Sequence, residues 1–115
     1  MKNFLRGFVF AMRGLVVAFR YERNLKVQLV VAFVTAVAGF YYSITTTEWI
    51  AVITFIALVL CLEMVNSAIE NVVNLITTER HPLAGKIKDI AAGAVLLASI
   101  ISVIIGIIIF GKYIL

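Results

Sequence analysis

The stretch WIAVITFIALVLCLEMVNSAIENVVNLI, Trp49 to Ile76, decides the fold. It runs apolar from Trp49 to Leu62, Thr54 aside, and then takes up Glu63, Asn66 and Glu70 before it ends. A run of this kind exceeds the ~20 apolar residues that a membrane-spanning helix requires. Carboxylates inside such a run are expensive to place, and by default they mark function.

Two further apolar blocks flank it, Val27 to Tyr42 and Ile90 to Ile109, so three spans are expected in a single membrane-embedded unit over residues 1–115. Composition agrees: 63% of the 115 residues are hydrophobic and 14% charged, a balance foreign to soluble domains. No repeat, low-complexity stretch or flexible linker interrupts the chain, and its one proline, Pro82, marks the break before the third helix. The one cysteine, Cys61, lies mid-span, where it forms no disulfide framework and reads as packed or lipid-facing filler.

Before the first span, Lys2, Arg6, Arg13 and Arg20 fall on one helical stripe, with Phe4, Phe8, Leu15 and Phe19 opposite. This pattern predicts an amphipathic surface helix over about 2–21, its arginines touching anionic headgroups and some of them phosphates. Arginines interleaved with phenylalanines are unlike a secretory signal, so this segment is expected to stay in the mature protein. The expected class is therefore all-α integral membrane, a surface helix plus three transmembrane helices.

Basic residues sort by side. Lys2 to Lys26 precede the first span, Arg80, Lys86 and Lys88 lie between the second and third, and the first loop has none. The positive-inside rule then places the N-terminus and the second loop in the cytoplasm and Lys112 outside. Tyr41, Tyr42 and Trp49 suit the far interface, and Thr46 or Thr47 is expected to cap the second span. In the third span Ala94, Ala98, Ser102 and Gly106 form a small-residue ladder at four-residue spacing, a seam for close helix packing.

Glu63, Asn66 and Glu70 are spaced three and four apart and so share a helix face, the carboxylates about 10 Å apart along the axis. Glu22, Glu79 and Asp89 flank the same membrane boundary. Carboxylates converging with Lys88 and Arg80 are what a Mg²⁺-nucleotide site requires, because Mg²⁺ takes oxygen ligands and shares them with phosphates. The blander reading of the span carboxylates is helix association through interhelical hydrogen bonds. His81 reads as a polar contact to nucleotide sooner than as a metal ligand. No P-loop, protein-kinase or dinucleotide signature occurs, so an ATP site here departs from the common soluble designs, and no nucleic-acid partner is expected.

EMVNSAIE at 63–70, followed by ERHPLAGKIKD at 79–89, resembles the prokaryotic diacylglycerol kinase family of small three-helix lipid kinases. The likeness extends to Arg13-Gly14-Leu15, Ala18-Phe19, Glu22-Arg23-Asn24 and Thr47-Glu48-Trp49. Glu22-Arg23-Asn24 and the His81-Pro82-Leu83-Ala84 loop look most like the Gram-positive undecaprenol kinase branch, which tilts the expected substrate from diacylglycerol to a polyprenol.

Carried over by position, the resemblance implies that Glu63 is the general base on the lipid hydroxyl, with Asn66 beside it at the substrate. It implies that Glu22 and Glu70 hold the Mg²⁺ that bridges the ATP phosphates, that Glu79, Arg80 and His81 contact nucleotide, and that Lys88 and Asp89 complete the ATP pocket. It further implies a bacterial plasma-membrane homotrimer with active sites shared between subunits. Asn74 and Phe10 depart from the family pattern, standing where aspartate and tyrosine are usual; the first loses a charge and the second keeps only the ring. A small ion or proton-coupled transporter using Glu63 and Glu70 is the alternative of another class, and a structural subunit without activity ranks below it.

Overall fold

Four α-helices and no strand make up the chain in the computed structural model, which describes residues 1–115. They are α1 (Lys2–Tyr21), α2 (Arg23–Tyr42), α3 (Thr46–Ile76) and α4 (Pro82–Ile114). The last three are long and apolar enough to cross a membrane, which agrees with the integral membrane class expected from sequence.

α1 buries none of its residues. Its apolar side, with Phe4 and Phe8 well exposed, has no protein partner and is suited to lie in a lipid surface. Glu22 breaks the path between α1 and α2: its backbone is extended, it ends α1 by donating its N–H to Ala18, and it starts α2. Leu25, one turn later, is the one large side chain withdrawn completely from solvent, and it fixes how the foot of α2 sits.

α2 ends at Ser43, which takes a left-handed conformation with φ of 50°. Thr45 then caps α3. Its hydroxyl accepts from the Glu48 N–H at 3.2 Å, and the Glu48 carboxylate accepts from the Thr45 N–H at 3.0 Å. The cap is therefore Thr45, where sequence pointed to Thr46 or Thr47, because the capping box needs the carboxylate three residues on. Gly39 is required by close approach: a Cβ there would stand 2.6 Å from the Trp49 ring.

α3 and α4 run antiparallel and share the closest packing in the molecule. Buried positions on α3 include Val52, Val59, Glu63, Asn66 and Val73; those on α4 are Ala91, Val95, Ala98 and Ile109. Within each set the close steps are four and three, Val59 to Glu63 to Asn66 and Ala91 to Val95 to Ala98, the seam of helices packed at a shallow angle. Of the four-residue ladder, Ala98 is buried and Ser102 and Gly106 are partly covered, but Ala94 is exposed, since a strict step of four drifts off a seam that follows 3.5.

The two ends of this hairpin are tied differently. At one end Glu48 accepts from the Tyr113 hydroxyl at 2.5 Å and meets the Lys112 ammonium at 2.6 Å. Tyr42 stacks on Tyr113, with ring centroids 5.9 Å apart, in an aromatic layer that also holds Phe110. At the other end Lys88 donates to Asn74 Oδ1 at 2.7 Å. Between α2 and this hairpin lies an apolar cleft of about 430 Å³, touched by Gln28, Thr35, Val59, Leu60, Ser102 and Gly106.

Candidate active site

Glu63 occupies a seam position of α3 at which every rule of helix packing would place an apolar side chain, and it is 4% exposed. The register that joins Asn74 to Lys88 and Glu48 to Lys112 puts it level with Ala98, whose small side chain leaves room for a carboxylate. Its hydrogen-bond partner comes from another helix: Asn24, second residue of α2, donates Nδ2 to Glu63 Oε1 at 3.3 Å. No cation pairs with it, the one ion pair in the chain being that of Glu48 and Lys112.

Asn66, one turn on, is 8% exposed, and its Oδ1 is the one buried side-chain atom in the chain without a hydrogen-bond partner. An unmet acceptor of this kind carries a desolvation penalty unless a water or ligand donates to it. Ser67 is buried alongside. Glu70 continues the same three-four spacing but is exposed. The polar face expected from sequence is thus half inside and half out: Glu63 and Asn66 are enclosed, while Glu70 faces outward.

Five of the six acidic residues, Glu22, Glu63, Glu70, Glu79 and Asp89, belong to the end of the bundle that carries α1 and the 77–81 loop, and none of the five is in an ion pair. Glu22 is half-buried at the α1–α2 break and its carboxylate makes no cap bond. No three His, Cys, Asp or Glu side chains converge as a ready-made metal cage. A pair of carboxylates that leaves the remaining positions to phosphate oxygens and water is nevertheless a donor set suited to Mg²⁺.

The loop after α3 forms a polar cleft of about 470 Å³, lined by Thr77, Thr78, Glu79, Arg80, His81 and Lys88 among others. Four residues singled out from sequence, Glu79, Arg80, His81 and Lys88, are therefore brought together. Asp89 is not among the lining residues; it follows Lys88 directly on α4 and so points about 100° away. His81 caps α4: its Nδ1 accepts from the Leu83 N–H at 3.2 Å, with Pro82 at the first helical position. The capping nitrogen is spoken for, and Nε2 makes no hydrogen bond within the chain.

Of two further side chains in this region, Asn24 was assigned no role from sequence and Asn74 was noted only as a departure from the family pattern. Asn24 reaches Glu63 across 39 residues, and Asn74 holds Lys88 across 14. Asn24 lies in a stretch that sequence did single out, Glu22-Arg23-Asn24, but a contact between separate helices leaves no trace in local spacing.

A lone carboxylate buried in a span, a nearby unmet acceptor, unpaired acids and a basic-acidic cleft at one membrane boundary suit phosphoryl transfer to a group arriving in the lipid phase. Comparison with known proteins agrees. The profile for prokaryotic diacylglycerol kinase matches residues 9–110. An undecaprenol kinase of Bacillus subtilis (strain 168) is 40% identical over 110 residues, covering 96% of this chain and 89% of the relative. A diacylglycerol kinase of Haemophilus influenzae is 36% identical over 89 residues, 77% of this chain and 75% of that one, and one from Escherichia coli (strain K12) is 33% identical over 95 residues, 83% and 78%. The chain belongs to the prokaryotic diacylglycerol kinase family.

Proposed function

We propose that this membrane kinase transfers the γ-phosphoryl group of ATP to the hydroxyl of undecaprenol, giving undecaprenyl phosphate and ADP. The observation that carries the reading is Glu63, a carboxylate buried without a cation within an apolar helix long enough to cross a membrane. The similarity to the Bacillus subtilis undecaprenol kinase supports the polyprenol, and diacylglycerol is the second reading, supported by the relatives named for it. Family membership leaves the ion-pathway alternative without support.

In this reading Glu63 takes the proton of the lipid hydroxyl as the oxygen bonds to the γ-phosphorus and the bond from phosphorus to the ADP oxygen breaks. Asn66 lies beside that hydroxyl, its free Oδ1 available to a donor from substrate or water. Glu79, Arg80, His81 and Lys88 receive the nucleotide in the loop cleft, and Asp89 borders it from the next position on α4. Glu22 and Glu70 would hold Mg²⁺, which when bound neutralises phosphate charge. The apolar cleft that begins one turn below Glu63, at Val59 and Gln28, suits the acceptor's hydrocarbon chain.

The chain is read as one catalytic unit over residues 1–115 with its N-terminus cytoplasmic in the bacterial plasma membrane, where ATP is available. A homotrimer with shared sites follows from the family resemblance. It is supported by how open the site is in one chain, with Glu70 and Asp89 exposed.

Purified protein in mixed micelles, given labelled ATP and Mg²⁺ with undecaprenol and diacylglycerol in parallel, tests the reading. Transfer to undecaprenol in preference, reduced at least a hundredfold in Glu63→Gln, is expected for loss of a general base. Preference for diacylglycerol would keep the mechanism and change the substrate, and transfer to neither would sink the kinase reading.

A further inference from the structure

Glu63 has two carboxylate oxygens, and the chain supplies a donor to one of them. Asn24 Nδ2 meets Oε1 at 3.3 Å, and no other side chain donates to Glu63. An amide is a particular choice of partner. It donates without carrying charge, so it orients a carboxylate without the strong attraction of an ammonium or guanidinium, and it cannot itself take the proton. Glu63 is thereby aimed by one oxygen while the other stays available as a base.

The origin of Asn24 matters as much as its chemistry. It stands two residues beyond Glu22, the extended residue that separates α1 from α2, and next to Leu25, which is completely buried. Leu25 fixes the rotation of the first turn of α2, and that rotation sends Asn24 toward α3. Asn24 is itself exposed, so the contact with Glu63 is not an incidental product of core burial.

We infer that Asn24 is a positioning residue of the acceptor site. Its amide holds the Glu63 carboxylate with Oε2 turned to the lipid hydroxyl, and it ties the foot of α2 to the centre of the reaction. The inference rests on the reading of Glu63 as general base. It adds a residue to the site and links the α1–α2 break to the turnover step, independently of nucleotide binding in the 77–81 loop cleft.

The test measures kcat and the KM for ATP and for the lipid alcohol on full-length protein in mixed micelles, for wild type, Asn24→Ala, Asn24→Asp and Asn24→Gln. Loss of a hydrogen bond to a charged group is expected to lower kcat in Asn24→Ala by roughly ten- to a hundredfold, with the KM for ATP unchanged. Asn24→Asp, which sets a second carboxylate against the first, falls further. Asn24→Gln keeps the donor and recovers most of the rate. Thermal unfolding in the same micelles, unchanged across the series, separates positioning from a structural role. A wild-type kcat in Asn24→Ala, a loss seen only in the KM for ATP, or failure of Asn24→Gln to recover overturns the inference while the lipid-kinase reading stands. An unimpaired Glu63→Gln overturns the inference together with the general-base role of Glu63, and a wild-type protein that transfers no phosphate overturns the lipid-kinase reading as well.

Discussion

Lys88 lines the loop cleft, and its ammonium meets one partner in the chain, the neutral Oδ1 of Asn74 at 2.7 Å. A carboxylate there would hold the lysine more tightly and cancel its charge; the amide steadies it and leaves the charge for phosphate. Asn74→Ala is therefore expected to raise the KM for ATP by roughly three- to tenfold, the worth of one ordinary hydrogen bond, with kcat little changed. Steady-state kinetics at saturating lipid decides this, and an unaltered KM would detach Asn74 from nucleotide binding. Sequence could single out Glu63 and Asn66, because a carboxylate and an amide interrupting an apolar run are conspicuous one residue at a time. It could not show that Asn24 is the partner of Glu63 or Asn74 that of Lys88, since both contacts join different helices, and Asn74 stood out only as a departure from the family pattern.

At the level of the element, helix boundaries follow local chemistry with one instructive shift. Three threonines precede Trp49, and only Thr45 has Glu48 three residues on, so only Thr45 completes a capping box. Thr45→Ala is expected to lower stability by about 1 kcal/mol, while Thr46→Ala leaves it in place. Unfolding of the two variants in detergent compares them directly, and equal losses would move the cap. The spans themselves were legible from their apolar runs. The α3–α4 seam was legible only in part: a ladder of small residues at intervals of four named Ala98, Ser102 and Gly106, but Ala94 turns away, and Ala91 and Val95 take its place. A sequence read at a fixed step does not reveal which 3.5-residue stripe a neighbouring helix selects. Glu63 and Asn66 lie on the selected stripe, which explains their burial; Glu70 continues the spacing but is exposed, although Val73, three residues further on, is buried again.

Across the whole molecule, charge is divided between the two ends, and the structure sharpens the division that the sequence suggested. Every basic residue except Lys112 belongs to α1, the foot of α2 or the region from Arg80 to Lys88. Lys112, paired with Glu48 at 2.6 Å, is the single basic residue at the opposite end against nine at this one, and it is the count of lysines and arginines that sets orientation. The 77–81 loop and its cleft should then face the cytoplasm and the α2–α3 turn the outside. Single cysteines introduced by Thr78→Cys and Thr46→Cys, each in a Cys61→Ala background, report this in right-side-out vesicles treated with a membrane-impermeant maleimide. Cys61 is replaced because it is the one native thiol and is exposed on the side of α3. Labelling of Thr46→Cys in intact vesicles, and of Thr78→Cys only after the vesicles are opened, is the expected result. The reverse pattern would place the Lys88 cleft away from cytoplasmic ATP, and because Glu63 is reached from that same end, it would remove the ground for assigning phosphoryl transfer to it.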